Sequence, residues 1–170
     1  PIQKTRLVMI KIIDDFLPEE EFLNIKNLME SREFPWYFNR SKIFIGDNKG
    51  QHVHVFFKHG QRNSEYLEMW NNFMRKIEAT QCYRIKANMT LKSSSQIADD
   101  TDWHIDDQGD ALKTAVFYIN TNDGYTELES GVRVGSVANR ACIFDSTLKH
   151  RGVGHTSPDH HRIVVNFNYA

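Results

Sequence analysis

The chain has few residues that could cross-link it, break it into modules or anchor it in a membrane. Its two cysteines, Cys82 and Cys142, stand far apart among 170 residues. They are too few for a disulfide framework and lack the paired spacing of a zinc cluster, so a reducing compartment is expected. Four prolines and nine glycines leave no Pro/Gly/Ser-rich stretch to act as a linker, and no repeat or low-complexity tract divides the chain. No apolar run approaches the roughly 20 residues that span a bilayer, and no signal-peptide pattern is visible. A cytoplasmic protein without a membrane partner is therefore expected. The formal net charge of -1, from 21 Lys and Arg against 22 Asp and Glu, offers no basic footprint for nucleic acid. What the chain does have is a hydrophobic content of 40%, enough for one core. The expectation is a single domain over 1–170, with 1–82 as a supporting region and 83–170 as a β core.

The front of the chain has helical spacing. RLVMIKII predicts a short strand, and Pro18 followed by three glutamates suits the first turn of a helix, where acidic groups oppose the dipole. Phe22, Ile25 and Met29 line one face of that helix. A second helix is predicted from near Asn63 or Ser64, with Tyr66, Trp70, Phe73 and Ile77 on its buried stripe. Between them, KIFIG and HVHVFF flank a polar turn with Gly46, Asp47, Asn48 and Gly50, the pattern of a hairpin. From Tyr83 onward, short strands separated by turn residues indicate a sandwich or barrel.

Chemistry concentrates in the β half. His104 and Asp106, in WHIDD, sit at i and i+2, so on a strand both side chains share one face. A distant His150, in STLKHRG, can close the third corner of a 2-His-1-carboxylate facial set. That set suits non-haem Fe(II), with the opposite coordination positions left open. Arg162 opens the final strand RIVVNFNY, and a guanidinium is the rigid, permanently charged fork that a carboxylate-bearing cosubstrate needs.

The motifs WHIDD, KTAVFYIN, NDGYTEL, ANRACIFDSTLKHRG and RIVVNFNY resemble those of the Fe(II)- and 2-oxoglutarate-dependent dioxygenases. Within that family they are most like the small prolyl-4-hydroxylase-like branch of bacteria and phages. The likeness covers the chain from about Tyr83 onward and extends more weakly to IDDFLPEEEF and EFPWYF. It implies a mainly β fold, a double-stranded β-helix (a distorted, cupin-like jelly roll) supported by N-terminal helices. His104, Asp106 and His150 would be iron ligands, and Arg162 would bind the distal carboxylate of 2-oxoglutarate. The implied cofactors are Fe(II), 2-oxoglutarate and O₂, with ascorbate an open addition. The implied reaction is hydroxylation of an unactivated C–H bond, on a prolyl or other side chain of a protein or peptide, with release of succinate and CO₂. A phage-encoded member would act in the host cytoplasm.

Strand parity refines this picture. If Arg162 faces the barrel interior, Val164, Asn166 and Asn168 share its face, while Ile163, Val165, Phe167 and Tyr169 pack under the helices. On KTAVFYIN, Thr114 and Tyr118 are candidate partners of 2-oxoglutarate. Asn88 is another, at a place where the family often carries a tyrosine. Arg151 and Asp107 are out of phase with the site. His52 and His54 form an HxH pair without a third ligand nearby, so a surface or substrate-facing strand is expected. His155, His160 and His161 are expected in solvent. The acidic run Asp99, Asp100, Asp102, Asp106, Asp107 and Asp110 suggests attraction of a basic substrate segment, and SSSQIADDT could form a lid. Two alternatives stay open: a cupin-like metalloenzyme without 2-oxoglutarate, and a noncatalytic jelly-roll binding module.

Overall fold

A computed structural model describes residues 9–43, 47, 49–106 and 109–170. Its strands are β1 (Lys11–Ile13), β2 (Tyr37–Asn39), β3 (Gln51–Lys58), β4 (Gln61–Arg62), β5 (Cys82–Leu91), β6 (Lys113–Tyr118), β7 (Tyr125–Leu128), β8 (Arg133–Gly135), β9 (Arg140–Asp145), β10 (His150–Val153) and β11 (His161–Tyr169). The helices are α1 (Glu19–Met29) and α2 (Asn71–Lys76). The larger sheet runs β1-β9-β6-β11-β5-β3-β2, with β4 on β3, and the smaller one runs β10-β7-β8. All these pairings are antiparallel. Two facing antiparallel sheets with helices on one outer face make a jelly roll.

Alternation along β11 decides which side of the large sheet is which. Ile163, Val165, Phe167 and Tyr169 are buried in the main core with Ile85 and Ala87 of β5 and Phe117 of β6. α1 contributes Phe22, Ile25 and Met29 to that core, and the α2 region contributes Trp70, Phe73 and Ile77. Phe73 stacks on Phe167 with ring centroids 4.0 Å apart, and Trp70 meets the same ring edge-on. The opposite face of the sheet carries Arg84, Lys86 and Asn88 on β5 and Arg162 and Asn166 on β11, which line a cavity. A second, smaller core closes the space between the sheets, built from Val116, Tyr118, Leu128, Phe144 and Val164 among others.

Asn139 fastens the front of the chain to this frame. It sits at φ 63°, a left-handed conformation that asparagine tolerates, and its amide bonds both the N–H and the carbonyl of Leu17. The strand expected from RLVMIKII is described as β1, Lys11–Ile13; residues 6–8 of that segment lie outside the described residues. The second helix is shorter than its stripe predicts. A 3-10 turn, Leu67–Trp70, precedes α2, and the Ser64 hydroxyl accepts from the Tyr66 N–H at the point where the longer helix would begin.

Besides β4 and β5, β3 pairs with β2, Tyr37 standing opposite Val53; Phe44 and Ile45 of KIFIG, the expected hairpin partner, lie outside the described residues. The Asp47 carboxylate accepts from the backbone N–H groups of Lys42, Ile43 and Lys49. Gly46 and Asn48 of the expected turn lie outside the described residues. Of the HxH pair, expected on a surface or substrate-facing strand, His52 is half-buried and His54 is not at the surface. His54 is buried against Phe34 and Phe56 and is bonded to the Pro35 carbonyl and the Ser64 hydroxyl.

Burial lowers the His54 pKa, against the pull of the Pro35 carbonyl. The folded protein therefore binds fewer protons here than the unfolded chain once pH falls below about 6.5. The stability this site contributes is present above that pH and is lost as pH falls toward the folded pKa. His54→Gln is expected to flatten that part of the curve, measured as a smaller drop in urea midpoint between pH 7.5 and 5.5 than in the unmodified protein.

Candidate active site

His104 and His150 are joined backbone to backbone. His104 N–H donates to the His150 carbonyl at 3.1 Å, and His150 N–H donates to the His104 carbonyl at 2.9 Å. This isolated bridge adds one residue to the edge of the small sheet and turns both imidazoles to the same side, with ring centroids 4.5 Å apart. Asp106 completes the group. Its carboxylate oxygens lie 3.9 Å from the Nε2 atoms of both histidines, and the candidate ligand atoms all fall within 4.8 Å of one another.

The protonation pattern suits a cation. Each Nδ1 faces a backbone carbonyl, that of Asp102 for His104 and that of Leu148 for His150, and a carbonyl can only accept. Both rings then carry a proton on Nδ1, so Nε2 is the ring nitrogen directed at Asp106. The Nε2 of His150 is buried without a hydrogen-bond partner. Burial lowers the His150 pKa, against the attraction of Asp106. Burial alone would raise the pKa of Asp106; the Arg84 guanidinium, His150, the Asn168 hydrogen bond and His104 outweigh it and hold the carboxyl well below its ordinary range. The donor set of two imidazoles and one carboxylate fits Fe(II).

Residues not singled out from sequence hold this set in place. Arg84 reaches Asp106 at 2.8 Å, and its Nε donates to Asn168 Oδ1, whose amide nitrogen donates to Asp106. Lys42 bonds the Asp102 carboxylate and the Gly152 carbonyl. It thus ties the segment before His104 to the strand after His150. The signal for Arg84 was present in RIKANMTL, whose polar residues alternate with apolar ones.

Arg162 lies in the same cavity, which has a volume of about 560 Å³. It is 5% exposed, bonded to the Ser136 hydroxyl and, at 3.4 Å, to Thr126. Among the described residues it has no carboxylate partner. An unpaired buried guanidinium is costly, so this position suits an anion. The chain leaves it room. A Cβ on Gly124 would stand 2.6 Å from Arg162 Cδ, and one on Gly152 would stand 3.7 Å from Nη1.

Of the other candidate residues, Asn88 lines the cavity. Thr114 and Tyr118 lie behind its wall, Thr114 accepting from Asn168 and Tyr118 donating to the lining residue Thr126. Arg151 turns away to Glu127 and Asp100 and packs over Trp103. Asp107 lies outside the described residues. His155 is fully buried, not solvated, with Nε2 on the Asp159 carbonyl. His161 is half-buried beside Glu30, and His160 is exposed. The acidic run is largely self-paired: Lys49 binds Asp99 and Asp102, Lys42 binds Asp102, and Arg151 binds Asp100. SSSQIADDT is tied down by Ser93 to the His155 carbonyl, by Gln96 to the Asp123 carbonyl and by Lys49 to Asp99.

No protein-family model matches the chain, and no curated protein matches its sequence. Solved structures do match. A Burkholderia pseudomallei oxidoreductase of the 2OG-Fe(II) oxygenase family superposes with a TM-score of 0.69 at 15% identity, over 95% of this chain and 84% of that one. The chain shares the fold of that oxygenase. A Trichoplax adhaerens prolyl hydroxylase, in complex with a hypoxia inducible factor peptide fragment, matches at 0.65 and 16% identity, over 94% and 82% of the two chains. The viral collagen prolyl hydroxylase of Paramecium bursaria Chlorella virus-1, in a 2OG complex, matches at 0.54 and 14% identity, over 94% of each. Partners behind a metal ligand set the affinity of a metal site. If the His–Asp–His set holds Fe(II), Arg84→Met is expected to weaken Fe(II) binding about 10–100-fold in anaerobic chelator competition.

Proposed function

We propose that the protein is an Fe(II)- and 2-oxoglutarate-dependent oxygenase that hydroxylates a C–H bond of a peptide or protein side chain, with prolyl as the favoured target. The observation that carries this reading is the pairing, in one cavity, of a His–Asp–His set having a buried, unpartnered Nε2 with a buried guanidinium that has no carboxylate partner among the described residues. Neither a jelly-roll binding module nor a cupin-like enzyme without 2-oxoglutarate needs both. The prolyl preference rests on the shared fold of prolyl hydroxylases and on the motif resemblance.

In this reading 1–170 forms one oxygenase domain, and His104, Asp106 and His150 hold Fe(II). With iron bound, O₂ oxidises 2-oxoglutarate to succinate and CO₂ and delivers one oxygen atom to the substrate C–H bond. The chain's own residues do the positioning. Asp106 stays ionised because Arg84 and Asn168 hold both its oxygens. Arg162 takes the distal carboxylate, with Thr126 and Ser136 fixing its plane. Tyr118 acts on the cosubstrate through Thr126, Thr114 acts on Asp106 through Asn168, and Asn88 faces the bound cosubstrate from β5. Ascorbate would serve as an auxiliary reductant. Among the described residues no helix is long and apolar enough to cross a membrane, and both cysteines are free thiols; a cytoplasmic site of action, in a host cell if the gene is viral, fits both.

Adding Fe(II) and then 2-oxoglutarate to metal-free protein under argon tests the reading without a known substrate. A visible charge-transfer band that needs both additions is expected. Asp106→Ala should abolish it through loss of metal. Gly124→Ala, which drives a methyl group into Arg162, should keep Fe(II) binding but raise the 2-oxoglutarate concentration needed for the band by about tenfold or more. Iron binding without any band would favour the cupin-like enzyme, and no iron binding would favour the binding module.

A further inference from the structure

Among the described residues, the cavity wall carries four cations, Lys42, Arg84, Lys86 and Arg162, against the carboxylate of Asp106. Arg84 is taken by Asp106, and Lys42 by Asp102 and the Gly152 carbonyl. Arg162, in the reading above, is taken by the cosubstrate. Lys86 is left over. Among the described residues it has neither a hydrogen bond nor an ion pair, although it points into the cavity from the middle of β5.

The register gives Lys86 a neighbour with the same deficit. It lies opposite Asn166 across the β5–β11 pair, and Asn166 also lines the cavity, its Oδ1 buried without a partner. One rung toward the end of β11 stand Arg84 and Asn168, which serve Asp106; two rungs the other way stand Thr90 and Arg162. Lys86 and Asn166 are therefore set between the metal set and the cosubstrate anchor, committed to neither.

Charge accounting indicates what they meet. Arg84 offsets Asp106, and Asp102 offsets Lys42. A dicationic iron is offset by dianionic 2-oxoglutarate, so Lys86 and Arg162 leave the loaded cavity positive. Burial lowers the Lys86 pKa most, repulsion from Arg84 adds to it, Asp106 opposes it, and Lys58 lowers it further, to about 8. A lysine so placed gains from a carboxylate beside it.

Resting on the oxygenase reading, we propose that Lys86, with Asn166 opposite, anchors a carboxylate of the substrate, so that the enzyme selects a peptide carrying Asp or Glu at or beside the oxidised residue. The self-paired aspartates outside the cavity agree with this, because few of their charges remain to draw in a basic segment. A positive cavity also repels a basic segment.

The test uses holoprotein loaded with Fe(II) and 2-oxoglutarate, and synthetic peptide pools with one position fixed as Asp or Glu, as Asn or Gln, or as Lys. The charge-transfer band is recorded first; without it the oxygenase reading fails before any peptide is added. With the band present, the acidic pools are expected to speed succinate release about tenfold over the amide pools, the worth of one charged hydrogen bond. Lys86→Met should bring acidic pools down to the amide level while retaining the band, and Lys86→Arg should keep the preference. Acidic pools no better than amide pools, including the case in which no pool is active, overturn the proposal. So does an acidic preference that survives in Lys86→Met. A tenfold or greater loss of 2-oxoglutarate affinity in Lys86→Met would assign the lysine to the cosubstrate and overturn it equally.

Discussion

The antiparallel register between β5 and β11 is the constraint on which the rest of the site depends. With Arg84 opposite Asn168 and Thr90 opposite Arg162, one pair of strands carries the support of Asp106 at one end and the buried guanidinium at the other. Side chains alternate along a strand, so slipping either one by a single residue would send that strand's share of these groups into the aromatic core. Phe167, Ile163 and Val165 forbid the slip, because they fill that core from the opposite face. Packing under α1 and α2 thus sets the spacing of polar groups in the cavity.

The smaller sheet contributes differently. Its edge is extended by a single bridge between His104 and His150, so two of the three candidate ligands are fixed by backbone hydrogen bonds. Lys42 ties the chain near both of them through Asp102 and Gly152. A segment that lines the cavity is in this way connected to the positions of both imidazoles. The charges outside the cavity serve the same end: Lys49, Asp99 and Asp102 hold loops together before they can act on anything in solution.

Much of this was legible in the sequence wherever one period governed. The alternation in RIVVNFNY gave the faces of β11, and the i, i+3/i+4 spacing of Phe22, Ile25 and Met29 gave the buried face of α1. What the sequence concealed were contacts between distant segments. His54 looks exposed in HVHVFF because its partners, Pro35 and Ser64, come from either side of the strand. The aspartates after Gln96 look free because Lys42 and Lys49 are some fifty residues earlier in the chain. Arg84 and Lys86 could have been found by applying to RIKANMTL the parity argument used on the last strand. Thr114 and Tyr118 have the right residue types, but Asn168 and Thr126 stand between them and the cavity.

The central claim is that the β5–β11 face holds both ends of one iron and 2-oxoglutarate site. It is tested most directly by an anaerobic crystal structure of the protein with Fe(II) and 2-oxoglutarate. The account predicts a single iron bonded to Nε2 of His104, Nε2 of His150 and an Asp106 oxygen, with the distal carboxylate of 2-oxoglutarate on Arg162. Iron bound elsewhere, or 2-oxoglutarate seated away from Arg162, would contradict it.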